Sequence, residues 1–202
     1  MAWDVEGTKR KIIDAATVEF VAHGQHGTTI ERIATRAGVN KERVYKYYGG
    51  KPELFAVVLR EKVADGLGSV PRSPSGVDEV GEFESRLFDY NRDHPELIRL
   101  LAWEALAYSG DLPEEQARID LYRRRTDEIA AGQDAGALTD RLPPEMLHVL
   151  LLALAGYGAF LPHVVRMVTG VSADDDAYRA AVIEGARRLA APDADRRVTS
   201  RG

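Results

Sequence analysis

Residues 28 to 51 read "TTIERIATRAGVNKERVYKYYGGK", and this stretch decides the fold. "TTIE" offers a capping box, Thr28 with Glu31 three residues later, ahead of Ile33, Ala34 and Ala37. Gly38 closes that short helix. Asn40 then caps a second one, "KERVYKYY", and Gly49-Gly50 breaks it. On a helix with about 100° per residue, Val44 and Tyr48 share one side, where they pack on Ile30, Ile33 and Ala37. The opposite side carries Glu42, Arg43 and Lys46, with Tyr45 and Tyr47 on its flanks.

An exposed face of that composition, braced by a short helix across a turn containing Gly, is what a helix-turn-helix needs to enter the major groove, which is about 12 Å wide. Lys41 and Arg43 suit guanine O6 and N7, and Glu42 suits a cytosine amino group, so these three carry base choice. The hydroxyls of Tyr45 and Tyr47, with Lys46 and Lys51, suit phosphate oxygens. Thr29 and the free amides at the start of its helix suit another phosphate. Glu31 sits awkwardly beside such a phosphate and is assigned no DNA contact.

Working outward, helical spacing recurs along the chain and no run alternates like a strand, so the fold class is all-α. A first helix runs from Thr8, its N-cap, through Ile12, Ile13, Ala16, Phe20 and Val21 to Gly24. A longer helix begins near Pro52. "GLGSVPRSPSG", 66 to 76, reads as a surface loop. Helices are expected near 78 to 94, 95 to 109, 113 to 131, 144 to 168 and 174 to 190, and 191 to 202 as a loose tail. The expected organisation is a helix-turn-helix DNA-binding domain over 1–51, a connecting helix over 52–67, a helical bundle over 68–190 and the tail.

Charge divides with this organisation. The 202 residues carry a net charge of -5, of which 1–62 contribute +3 and 63–202 contribute -8. A basic end suits a polyanion. The absence of Cys excludes disulfides and thiolate chemistry. No secretion signal is visible. A membrane-spanning helix takes roughly 20 residues. The most apolar stretch, "VLLLALAGYGAFLP" at 149 to 162, is shorter than that, so a cytoplasmic protein is expected.

Ile12, Ala15-Ala16, Phe20, Gly24, Thr28-Thr29, Ile33-Ala34, Ala37-Gly38-Val39, Tyr45, Tyr47-Tyr48, Lys51 and Leu54 keep their order and spacing in a pattern that resembles the N-terminal domain of TetR-type transcriptional regulators. Departures are Gln25, Tyr48 where Phe is usual, and the Gly49-Gly50 turn. The resemblance implies a homodimeric all-helical regulator, usually a repressor, whose C-terminal domain, here 68–190, is a ligand-binding and dimerisation domain for a small molecule and a second copy. It implies DNA contacts at Thr29, Lys41, Glu42, Arg43, Tyr45, Tyr47 and Lys51, in agreement with the helical face.

In the remainder, 146–161 is apolar around nearly its whole circumference, and the last helix shows a stripe at Tyr178, Ala181, Val182, Gly185 and Leu189. Paired with their copies, these last two helices form a four-helix homodimer interface; a monomer core is the plainer alternative. Glu104 sits within the apolar face of Leu97, Leu100, Leu101 and Tyr108, and takes either an internal Arg, such as Arg86 or Arg123, or a ligand. Phe88, Tyr90, Trp103, Tyr108, Tyr122 and Tyr157 are candidates to line a pocket for an apolar or aromatic effector, or are simple packing.

The five histidines have no metal-ligand spacing, the Asp174–Asp176 run suits a helix start, and neither a phosphate loop nor a nucleophile elbow occurs, so no metal or cofactor is expected. Arg123–Arg125 read as a wet helix face. The reading is a ligand-responsive DNA-binding regulator on a near-palindromic double-stranded operator, expected to repress. An activator, a helical-bundle enzyme using Glu104 or His163, and a protein-interaction module remain as rivals.

Overall fold

The computed structural model describes residues 4–69, 74 and 76–192, and the described residues form ten helices and no strand. In chain order they are α1 (Val5–His23), α2 (Ile30–Ala37), α3 (Lys41–Tyr48), α4 (Lys51–Ser69), α5 (Val77–Asp93), α6 (Pro95–Ala107), α7 (Glu115–Asp134), α8 (Pro144–Phe160), α9 (Pro162–Thr169) and α10 (Asp176–Ala190). The expected all-α class is the one observed. The helices divide into two compact units, one of residues 1–65 with 95–119, the other of 66–94 with 120–202.

The first unit holds α1 to α3, most of α4, α6 and the start of α7. Its core is Ile12, Ala16, Phe20, Ile33, Val44, Leu54, Phe55, Leu59 and Leu100, each no more than 1% exposed. Phe20 and Phe55 meet edge to face with centroids 5.1 Å apart, a favoured aromatic geometry. Val44 is the one fully buried residue of α3, so the helix is anchored by one side and its other side stays open.

The second unit centres on α5, α8 and α10, with Val80, Phe83, Leu87, Ile129, Leu147, Leu151, Ala155, Ala186 and Ala190 in one cluster. Arg179 of α10 is bound to Asp89 of α5 at 2.7 Å. That hydrogen bond, with the Arg179 charge, holds the Asp89 carboxyl below its ordinary range against a smaller effect of burial. Gly158 lets α8 approach α10: a methyl group there would stand 2.8 Å from the Tyr178 ring.

Several boundaries differ from the sequence expectation. α1 starts three residues before Thr8 because Asp4 caps it, its side chain accepting from the Gly7 amide at 2.7 Å, as a short acidic residue does at a helix start. α2 is capped by Thr29, which accepts from the Arg32 amide at 3.2 Å. Thr28 donates to Glu19 instead, so Glu31 falls one position short of the capping-box site. Gly66 to Ser69 continue α4 rather than opening a loop, while 70–73 and 75 lie outside the described residues. The expected tail lies outside them too, from 193 onward.

The helix expected over 144–168 is two. α8 and α9 meet at an 89° bend. The cause is local: Leu161 precedes Pro162, and a residue before proline is pushed out of the helical region. Leu161 stands at φ -127° and ψ 57°. α8 is also not covered on all sides within the chain. Met146, Val149, Tyr157 and Phe160 are 44–56% exposed, one apolar stripe along its outer face. The α10 stripe splits likewise: Val182 is buried and Tyr178 and Leu189 are partly so, whereas Ala181 is exposed and space beside Gly185 is open; Ala186 and Ala190, outside that stripe, are buried.

Candidate nucleic-acid interface

α2 is fixed to α1 before α3 is presented, and Glu19 does the fixing. It is 3% exposed in the apolar stripe of α1, and it accepts from the Thr28 hydroxyl at 2.9 Å, from Arg32 Nε at 3.0 Å and from Arg36 Nε at 2.9 Å. Burial raises its pKa, but the Thr28 and Arg36 hydrogen bonds and the Arg32 and Arg36 charges outweigh that, and the net position is lowered, so Glu19 stays ionised. Sequence reasoning passed over this residue. Its signal was a carboxylate one position before Phe20 in a buried stripe, with two arginines four apart on the next helix.

The turn into α3 needs Gly38, because the left-handed backbone region is open to glycine at little cost. Gly38 sits there at φ 68° and ψ 33°. It closes α2 as Val39 donates back to the Ala34 carbonyl. Asn40 then caps α3, its side chain accepting from the Arg43 amide at 3.2 Å, as the sequence indicated. At the far end Tyr48 is half-buried rather than a full core residue, and its hydroxyl donates to the Lys9 carbonyl at 3.1 Å. Burial pushes the Tyr48 phenol up to about 12, and the charges of Glu61 and Glu6 add to this, so it remains a donor.

Of the eight residues singled out for DNA, Lys41, Glu42, Tyr45 and Lys46 are exposed on α3, and Arg43 and Tyr47 are partly so. Thr29 is exposed at the start of α2. Lys51 reaches the same place, its Nζ donating to the Thr28 carbonyl at 2.9 Å. Lys41 is already engaged, with its Nζ 3.5 Å from Glu31 Oε1. The Glu31 carboxyl is lowered chiefly by a hydrogen bond from its own backbone amide, with Lys41 and Thr29 adding to it.

The seven residues considered for an effector divide between the units. In the first, Trp103 lies over Gly24, whose φ is 64° and where a methyl group would stand 2.7 Å from the ring, and its Nε1 donates to the Val21 carbonyl at 3.3 Å. Glu104 takes an internal arginine, but Arg118 rather than Arg86 or Arg123: two bonds of 2.8 and 2.9 Å join them, a fork-to-carboxylate pair. Arg86 and Arg123 pair within their own helices, with Glu82 and Asp120. The Tyr108 hydroxyl is buried without a partner.

In the second unit, Phe88 lies beside Tyr178 with centroids 6.0 Å apart, Tyr90 lies against His94 at 4.4 Å, and Tyr157 is on the open face of α8. Tyr122 meets His148 edge-on at 6.2 Å. The Thr126 hydroxyl lies 3.2 Å from the Tyr122 carbonyl and 2.9 Å from His148 Nδ1. His148 Nε2 is buried with no hydrogen-bond partner. Burial, with the Arg125 charge, lowers this imidazole and keeps it neutral. Glu84, fully buried on α5, has no partner for either oxygen, and burial lifts its pKa to about 8. Neither His148 nor Glu84 was singled out from the sequence. Among the described residues, no group of three or more His, Asp and Glu could hold a metal ion.

A model of bacterial regulatory proteins of the tetR family matches residues 12–58, and a model of the tetracyclin repressor-like C-terminal domain matches residues 79–188. The chain belongs to the TetR family. It is 42% identical over 190 residues to the HTH-type transcriptional repressor SCO4008 of Streptomyces coelicolor, covering 93% of this chain and 97% of that protein. It is 28% identical to the HTH-type transcriptional regulator RutR of Escherichia coli K12, over 92% of this chain and 89% of that one. In fold it is similar to a TetR family transcription regulator from Marinobacter aquaeolei VT8, with a TM-score of 0.73 and 17% identity over 96% of this chain and 100% of that chain.

This TetR-family chain is therefore a DNA-binding transcriptional regulator and not an enzyme. Regulators of this family bind operator DNA and typically act as dimers. Among the described residues no single helix is long and apolar enough to cross a membrane.

Proposed function

We propose that this regulator represses transcription as a homodimer that sets two α3 helices in successive major grooves of a near-palindromic operator, about 34–36 Å apart, and that a small apolar or aromatic effector releases it. The open face of α3 carries this reading. The helix is capped at Asn40, anchored by Val44, and presents Lys41, Glu42 and Lys46 outward with Arg43, Tyr45 and Tyr47 beside them. Lys41, Glu42 and Arg43 read base edges; Thr29, Tyr45, Lys46, Tyr47 and Lys51 hold phosphate.

Support for the dimer is the uncovered apolar stripe of α8, together with the open positions Ala181 and Gly185 of α10. Support for an effector is the pair of buried polar groups in the second unit that lack protein partners, Glu84 and His148 Nε2. Such groups give orientation to a ligand whose body is held by apolar walls.

The decisive experiment first selects the operator from random duplex DNA and then titrates it by fluorescence anisotropy. Arg43→Ala is expected to cost roughly 1–3 kcal/mol on the operator, with less on unrelated DNA. Equal affinity of both proteins for the operator would remove α3 as its reader. Val149→Asp places a charge in the α8 stripe, and sedimentation is expected to show its dimer weakened and operator binding lost together. A dimer indifferent to this change would place the interface elsewhere.

A further inference from the structure

Glu31 stands in the first turn of α2, and its carboxylate lies across the inter-helix turn from Lys41 Nζ at 3.5 Å. The ionised form of this carboxyl is favoured chiefly by its own backbone amide, with Lys41 and Thr29 adding to it. Amides at a helix start have no intrahelical acceptor and attract anions. Thr29 and Lys41 are two of the groups assigned above to DNA. Lys51 Nζ stands beside them on the Thr28 carbonyl. A negative charge belonging to the protein thus lies beside one group assigned to phosphate, Thr29, and is paired with one assigned to base edges, Lys41.

We propose that Glu31 is an internal competitor for the DNA backbone, an affinity-setting residue whose carboxylate a phosphate displaces when the regulator binds. This rests on the reading of α3 and the start of α2 as the DNA-facing surface.

Two consequences follow from charge alone. The displaced carboxylate lies close to phosphate whatever the base sequence, so the cost falls equally on operator and unrelated DNA. Lys41 reaches the DNA already neutralised, and the freed Glu31 takes up a cation from solution, so the net release of counterions is about one lower than the number of phosphates engaged.

Glu31→Gln keeps the size and hydrogen-bonding capacity of the side chain and removes the charge. It is tested on the full chain with the selected operator and a scrambled duplex, by anisotropy at four salt concentrations. Both affinities are expected to tighten by the same factor, about three- to tenfold near 0.1 M salt, and the slope of log K against log salt to steepen by about 0.9. Adding Lys41→Met to Glu31→Gln is expected to abolish the gain. A merely structural role for Glu31 would change the melting temperature and leave the salt slope alone.

An unchanged slope, a weaker operator complex or a gain confined to the operator would each overturn the proposal; the last two would make Glu31 a direct reader of bases or a brace for Lys41. Arg43→Ala, run alongside, separates the failures. If it leaves operator affinity intact, the DNA-facing reading is at fault; if it weakens the operator while Glu31→Gln tightens nothing, only the competitor is refuted.

Discussion

Replacing Glu84 by leucine is expected to stabilise the protein, and increasingly so as the pH rises. In the unfolded chain this carboxyl ionises near its ordinary 4.5; in the fold, burial without a partner lifts it to about 8. Between those values the folded state holds a proton that the unfolded state has released. Folding therefore takes up a proton, and stability falls as pH rises through the interval, then levels above about 8. At about 1.4 kcal/mol for each pH step, the loss reaches roughly 3 kcal/mol by pH 7 and no more than about 5 kcal/mol overall.

Leucine removes both the titration and the unsatisfied polar group. Urea unfolding of the wild type and Glu84→Leu at pH 5, 6, 7, 8 and 9, at one protein concentration, isolates this site, because all other groups titrate alike in the two proteins. The difference in stability is expected to grow from pH 5 to 8 and flatten beyond. A difference that stays constant with pH would show that Glu84 is solvated or paired, and would refute the reasoning from burial.

The positive-φ glycines Gly38 and Gly24 of the first unit make a graded pair. A methyl group at Gly38 meets open space, whereas one at Gly24 collides with the Trp103 ring. Gly38→Ala is expected to cost only the left-handed backbone, about 1–2 kcal/mol. Gly24, at φ 64° and ψ -179°, lies in a region nearly exclusive to glycine, so Gly24→Ala adds a costlier backbone as well as the collision and should cost clearly more. Melting temperatures of the two variants check the order, and equal shifts would refute it.

Several local causes were legible. Asn40 announced a cap because its donor lies three residues away in the same turn. Asp174–Asp176 announced the start of α10, and Asp175 is its cap. Gly38 had to be a turn, since its conformation is costly for most other residues. The bend between α8 and α9 was written in Pro162, yet the strong apolar run on both sides masked it.

Causes that lie far away in sequence were not legible. Thr28 and Thr29 are chemically alike, and which one caps α2 is decided by Glu19, which claims the Thr28 hydroxyl from nine residues upstream. An arginine was one expected partner of Glu104, but arginines stand on both sides of it in the chain and the helical pattern ranks none of them. Arg118 is the partner because α6 and the start of α7 face each other there. Glu84 occupies a buried position on α5 that its neighbours Val80, Leu87 and Phe88 already marked, and only the lack of any partner makes it stand out.

The first unit is assembled from two separated pieces of chain, 1–65 and 95–119. Trp103 closes over Gly24 from the second piece, Glu114 pairs with Arg60 and Glu96 with Lys62. Swapping effector domains between regulators by joining sequences at the end of α4 would therefore graft a foreign α6 onto this α1. A chimera that keeps its operator has to carry 95–119 along with the head, and the recombination points that respect the protein lie on either side of α5 and again after residue 119 rather than at one place.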